Sequence, residues 1–293
     1  MSLILLATAV AAALGCQESG FDERKETARP LKVQHALGES KVPGQAERPV
    51  TLTVSALDDT LALGVRPVRA ALPGRRIPNY LSTRAAGIDV IEGAGALDLG
   101  AVAAAQPDLI VGEASGQARL YRRLSRIAPT VMSDGEGAQW KLDLRLHGEA
   151  LGRTNDAEAL LSDWDRRVGR LRSSRPAATE IAAVRVTPTG ARLAGPASFA
   201  ANVLADAGLV RPSAPAGDGK PRPLADLDAD VILLSVAPGA ASALRRLERS
   251  RAWPRVAGAI RRVDDGAWWS GGGVLAARAA LGDLRRILHP RRD

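Results

Sequence analysis

Arginines, tryptophans and short polar loops carry the chemistry that this sequence offers. Arg75, Arg76, Tyr80 and Arg84 crowd one loop, PGRRIPNYLSTRAAG, at residues 73–87. Guanidinium groups are planar, permanently charged and forked to fit carboxylate-like oxygens, so the loop suits an anionic, oxygen-rich ligand. The same composition also suits a solvent-facing loop. Trp268 follows a short strand and precedes Gly271, Gly272 and Gly273. Its indole could cover an aromatic or hydroxamate ligand while backbone N–H groups at the helix start face an anion; Trp269 beside it is expected to point elsewhere. Trp140 lies in the first turn of a helix, as a cleft wall or as core. Glu113, Ser115 and Gln117 stand where one strand ends, and Ser198, Phe199 and Ser235 stand at the corresponding ends later in the chain. His147 shares a helix face with Trp140, Leu144 and Leu151, the pattern of a core histidine.

Catalytic arrangements are missing from this set. There is no G-x-S-x-G, and His35 and His289 lie near the two ends of the chain. No grouping of His, Cys and carboxylates has metal-ligand spacing, so no metal or cofactor site is expected. Gly93-Ala94-Gly95 lacks the third glycine of a dinucleotide loop and reads as a turn. The residues point to a binding protein with no reaction of its own.

The elements that position these residues are legible from 97 to 134. Asp98 caps a short Ala-rich helix that Pro107 ends. Leu109, Ile110 and Val111 form an apolar run without alternation, as a strand covered on both faces does. A helix from about Gln117 places Leu120, Leu124 and Ile127 inward, and Thr130 to Met132 form the next strand. Helix, strand, helix, strand is a crossover unit of a doubly wound sheet, whose ligands sit beyond the carboxyl ends of the strands. Later, residues 228–235 echo 106–113: an acidic residue, an apolar strand, a short loop, a helix. The fold class is α/β.

With 293 residues the chain can form two domains, and its 46% apolar and 25% charged residues are those of a globular protein. Net charge is +8, but the basic residues are scattered over the helices and no aromatic platform accompanies them, which argues against nucleic acid as partner. Residues 3–14 are an apolar run too short to span a bilayer, ending Ala13-Leu14-Gly15-Cys16. That ending resembles a bacterial lipoprotein signal, which makes Cys16, the one cysteine, a lipidation site and places the protein on the outer face of the cytoplasmic membrane. The expected organisation is a signal peptide at 1–16, a flexible tether at 17–48, a first lobe at 49–154, a connecting helix at 155–174 with Leu160, Leu161, Trp164, Val168 and Leu171 as its stripe, and a second lobe at 175–293.

Several motifs carry a family resemblance. They are Leu97-Asp98-Leu99 with Gln106 to Gly112, Ile127-Ala128-Pro129-Thr130-Val131, Trp140 with Leu146, Gly148, Leu151 and Gly152, and Trp268 with Gly271 to Gly273 and Ala276-Ala277-Arg278. The chain from about 49 to 290 resembles the substrate-binding lipoproteins of iron-siderophore, haem and cobalamin ABC importers, most of all ferric-siderophore binders of actinobacterial type. The resemblance implies two Rossmann-like lobes joined by a single long helix. The ligand it implies is a ferric siderophore, with haem or cobalamin as alternatives, bound in the cleft of a monomer and passed to an ABC permease. Members of the family dock the permease through a Glu on each lobe. Here Gly100 matches the first position and Arg222 lies near the second, which favours, as the alternative function, an envelope interaction protein that no longer docks a permease.

Overall fold

Val33 and Val42 are buried, although their polar surroundings read as tether. The structure, a computed structural model, describes residues 29–93, 95, 97–135, 137–174, 179–210, 229–251, 253 and 259–289. It begins with β1 (Leu31–His35) and β2 (Gly38–Val42), an antiparallel hairpin. Alternation turns Val33, Ser40 and Val42 inward, and Ser40 Oγ donates to the Thr130 carbonyl at 2.7 Å. The Ala36 N–H donates to the Met132 carbonyl at 2.9 Å. A flexible tether is therefore overturned for residues 31–42. Each strand is too short and too polar to declare itself, and pairing on the lobe behind it decides. Cys16 and residues 17–28 lie outside the described residues.

The first lobe follows: β3 (Pro49–Thr51), α1 (Val54–Ala62), β4 (Arg69–Leu72), β5 (Asp89–Glu92), α2 (Leu99–Ala104), β6 (Leu109–Glu113), α3 (Ala114–Gln117), α4 (Tyr121–Leu124) and β7 (Thr130–Ser133). Among the described residues the sheet order is β5-β4-β3-β6-β7, every pair parallel. Leu109, Ile110 and Val111 are wholly buried, as an unbroken apolar central strand requires. Asp98 does cap α2, its Oδ1 accepting the Ala101 N–H at 3.0 Å. One helix starts earlier than its sequence advertises. Thr53 Oγ1 accepts the Ala56 N–H at 3.2 Å and opens α1, so Asp58 and Asp59 fall mid-helix instead of at its start. The helix expected from Gln117 is broken into α3, a 3-10 turn (Ala118–Leu120) and α4.

Next come α5 (Trp140–Ala150) and α6 (Thr154–Ser174), and at 1.5 Å per residue α6 is about 30 Å long. It buries Leu161, Trp164, Val168 and Leu171. The second lobe contains β8 (Ile181–Thr187), β9 (Gly190–Leu193), α7 (Phe199–Asp206), β10 (Val231–Val236), α8 (Ala241–Glu248) and β11 (Ile260–Arg262). A π-helical turn (Gly266–Ser270) then leads into α9 (Val274–Leu288). Its described strands run β11-β10-β8-β9, parallel except for the β8–β9 hairpin. The fold is thus two α/β lobes joined by one long helix.

A continuous core links both lobes through α5, α6 and α9. Trp140 packs edge-on against Trp164 at 5.4 Å and against Phe199 at 6.1 Å. The buried indoles are satisfied across elements: Trp140 Nε1 donates to Asn202 Oδ1 and Trp164 Nε1 to Asp206 Oδ2, at 2.9 and 2.8 Å. Asp163 of α6 pairs with Arg278 of α9 at 2.7 Å. The turn from α5 to α6 depends on Gly152, which has φ +70 and faces the Gly44 carbonyl. A Cβ there would overlap that carbonyl. Gly152→Ala is expected to lower stability by ~2–4 kcal/mol, from left-handed strain plus overpacking. Urea unfolding checks this, and an unchanged midpoint would refute it.

Candidate functional site

The carboxyl ends of the two sheets face one crevice. From the first sheet come Leu52 to Ser55 after β3, Glu113, Gly116 and Gln117 at the end of β6, and Gly135 and Gly137 after β7; the second sheet brings Arg185 on β8, Leu234 and Val236 on β10 and Arg262 to Asp265 at the end of β11. In the first sheet β3 and β6 flank the point where strand order reverses, the place where open α/β sheets bind ligands. Two adjoining cavities, about 590 and 740 Å³, fill the crevice and share Val54, Pro73 and Trp269. Volumes of that order suit a ligand of several hundred daltons.

Electrostatics divides the crevice. The larger cavity carries Arg76, Arg185 and Arg262 together with Asp264 and Asp265, and Arg262 also pairs with Glu248 at 2.7 Å. Arg185 meets Asp265 in a two-pronged pair, Nε to Oδ1 at 2.8 Å and Nη2 to Oδ2 at 2.7 Å, and its guanidinium lies 5.9 Å from the centre of the Trp269 ring. Ser235, wholly buried, donates from Oγ to the same carboxylate at 3.1 Å. These bonds fix the arginine plane before any ligand arrives. Glu113 and Asp143 line the smaller cavity. The Ser55 hydroxyl donates to Glu113, and Gln117 stitches the strand ends, its Oε1 accepting the Glu113 N–H at 3.2 Å and its Nε2 donating to the Leu52 carbonyl at 2.8 Å.

Behind the crevice lies a buried lock between the lobes. The N-terminus of α9 presents unpaired N–H groups, as every helix start does. Asp58 accepts from Leu275 and Ala276, at 2.7 and 2.8 Å, and Asp59 accepts from Val274 at 3.3 Å. The other oxygen of Asp59 lies 2.8 Å from His147 Nδ1. Gly273 is obligatory here, because a Cβ would overlap the Asp58 carboxylate. Burial, helped by Asp59, pushes the Asp58 carboxyl up to about 8 against the pull of its two N–H donors. Burial likewise raises Asp59 and lowers His147, so both favour their neutral forms.

Some expected residues meet at the crevice and others do not. Arg76, Glu113, Gln117 and Ser198 line it. Ser198 does so while capping α7, its Oγ accepting the Ala201 N–H at 3.2 Å. Arg75 and Arg84 are exposed and line neither cavity, and Ser115 sits on the exposed surface next to the lining Gly116. Tyr80 lies beneath the crevice instead of in its wall, its hydroxyl turned toward Asp58 and Gly271. Ser235 acts through Asp265. Trp140 is core, and so is Trp268, which is 1% exposed and donates from Nε1 to Asp283 Oδ2 at 2.9 Å. The two adjacent tryptophans therefore exchange the roles that their sequence positions suggest: Trp269 is the cleft wall. The π-helical turn causes this, since its i→i+5 bond, Gly271 N–H to the Gly266 carbonyl at 2.7 Å, shifts the phase of the side chains. Arg185 was missed although it announces itself, being an arginine inside the apolar strand Ile181–Thr187. Asp58, Asp59 and Asp143 carried no such signal.

Comparison with known proteins agrees with this architecture. A family model described as periplasmic binding protein matches residues 50–253. The chain belongs to the periplasmic binding protein family. A Bacillus subtilis protein named "Probable siderophore-binding lipoprotein YfiY" is 27% identical over a 309-residue alignment that covers 96% of this chain and 95% of the relative. The achromobactin-binding periplasmic protein of Dickeya dadantii is 29% identical, with 82% of this chain and 86% of the relative covered. Among solved structures, Staphylococcus aureus SirA complexed with staphyloferrin B superposes with a TM-score of 0.76 at 25% identity, covering 88% of this chain and 98% of that one. The petrobactin-binding protein YclQ of Bacillus subtilis, at 18% identity and a TM-score of 0.78, covering 90% of this chain and 100% of that one, shares the fold. Proteins of this family bind substrates for transport. The long helix between two lobes is the architecture of its helical-backbone class.

The lock has a pH consequence. Between the ordinary carboxyl value of 3.8 and about 8, folded Asp58 keeps a proton that the unfolded chain has released. Its contribution to stability is therefore complete at low pH and lost as pH rises toward 8. In Asp58→Asn the stability difference from the wild type is expected to move in the variant's favour between pH 5 and pH 8. Urea unfolding at both values measures it, and a pH-independent difference would refute the proton at Asp58.

Proposed function

We propose that this protein captures a ferric siderophore outside the cytoplasmic membrane and presents it to an ABC permease, held at the membrane by a lipid on Cys16. The observation that carries the reading is the arginine half of the crevice. Arg76, Arg185 and Arg262 converge from both lobes on a cavity walled by Trp269, and forked guanidiniums over an indole match a chelate of anionic oxygens on an organic frame. The names of the relatives support it, since siderophore, achromobactin and staphyloferrin B all occur among them. Iron would arrive with its own ligands. Binding and release involve no bond making, and the long α6 with the α1–α9 lock favours small movements of the lobes over wide closure.

Names of relatives include a lipoprotein and a periplasmic protein, which supports a place outside the cytoplasm. Among the described residues no helix is long and apolar enough to cross a membrane. At the first-lobe docking position Gly100 is exposed on α2, and Asp98 beside it is engaged as the helix cap; Arg222 lies outside the described residues. A permease would therefore have to grip the first lobe through groups other than a carboxylate at position 100.

Tryptophan fluorescence tests the binding reading directly. Ferric hydroxamate, catecholate and α-hydroxycarboxylate chelates are titrated, and at least one class is expected to quench saturably at micromolar concentration or below. Arg76 has no ion-pair partner among the described residues, so Arg76→Ala should leave folding intact while weakening that chelate ~10-fold, the worth of one charge-assisted contact. Trp269→Phe should remove most of the quenching amplitude. No saturable quenching by any class would end the proposal.

A further inference from the structure

The smaller half of the crevice has a charge opposite to that of the arginine half. Its only ionisable lining residues among those described are Glu113 and Asp143. Asp143, in the first turns of α5, is 8% exposed, and its carboxylate takes no hydrogen bond and no ion pair among the described residues. Carboxylates so far from water are ordinarily paired. The charged groups that face it are His147 on its own helix, Asp59 from α1, Glu113 from β6 and Asp134 beyond β7. His147 alone among them can become a cation; Asp59 engages its Nδ1, its Nε2 is buried without a partner among the described residues, and burial holds the ring toward neutrality. Trp269 lines the same cavity, and the face of an indole attracts a cation. With no group of three metal-ligating side chains among the described residues, an organic cation fits better than a metal ion.

We propose that this half of the crevice is an ammonium subsite, in which Asp143 and Glu113 hold a protonated primary amine on the organic frame of the ligand while the arginine half takes its anionic chelate. The ligand class narrows to ferric siderophores with a free amine. This rests on the siderophore reading above. A pH signature follows from burial, which raises the Asp143 carboxyl to about 7. The negative charge grows as pH rises through that value, whereas an alkylamine stays protonated until about pH 10. Preference for an amine should therefore grow from pH 6 to pH 8.

Matched pairs of ferric chelates, identical except that one pendant primary amine is free or N-acetylated, test the subsite by fluorescence titration. Hydroxamate, catecholate and α-hydroxycarboxylate pairs are each measured at pH 6 and pH 8. Within any class that binds, the free amine is expected to bind ~10-fold tighter at pH 8, with a smaller ratio at pH 6. In folded Asp143→Asn the ratio should collapse toward one, with thermal unfolding as the control for folding. The wild-type comparison needs no variant. Equal affinities within a class that binds, or tighter binding of the acetylated form, overturn the subsite and leave siderophore capture standing. A ratio that survives Asp143→Asn also overturns it. No saturable binding of any pair overturns both.

Discussion

Two adjacent aspartates, buried in the middle of a helix, hold the two ends of this chain together. The N-terminus of α9 must satisfy its first N–H groups, and its N-cap, Gly273, has no side chain with which to do so. Asp58 and Asp59 reach across from α1 and accept from Val274, Leu275 and Ala276. Helix-end N–H groups left bare in a core would each cost on the order of 1–3 kcal/mol. Carboxylates in that environment are themselves costly to keep ionised, and burial answers by raising both their pKa values and depressing that of His147. The result is a dry, nearly neutral joint whose polar atoms constrain one another.

That joint sets how the crevice works. With α9 bonded to α1, and α6 tied to α9 through Asp163 and Arg278, the strand ends of the two sheets face each other across the crevice. Gly271 and Gly273 are conditions of this approach, since side chains there would collide with Tyr80 and Asp58 respectively. Rigidity favours capture of a ligand that is itself stiff, because little ordering remains to be done on binding. The crevice carries Arg76, Arg185 and Arg262 beside Asp264 and Asp265 in its larger half, and Glu113 and Asp143 in its smaller half.

Much of the frame was legible before any coordinates. The unbroken apolar run at Leu109 to Val111, the Asp98 cap, the long stripe of α6 and the echo between β6 and β10 each reflect a local periodicity or a capping preference, and the structure keeps them. Legibility failed where pattern and environment part. The hairpin of β1 and β2 is polar on one face and short, so only its partner β7 makes it a hairpin. The start of α1 is set by Thr53, whose side chain makes the cap, and the acidic pair Asp58-Asp59 lies in mid-helix.

The sequence by itself determined the class of fold and the succession of strands and helices from β6 to α6, because apolar periodicity and caps are properties of neighbouring residues. It also brought Arg76, Glu113, Gln117 and Ser198 to the crevice, since strand ends and their loops are readable along the chain. Only the tertiary structure decided which tryptophan faces the crevice, because a π-helical turn rotates Trp268 into the core and Trp269 outward. It alone decided that Asp58 and Asp59 are a joint and that Asp143 stands unpartnered beside a cavity. Those roles are set by groups far along the chain, Val274 to Ala276 for the joint, and no local pattern of one segment records what another segment leaves unsatisfied.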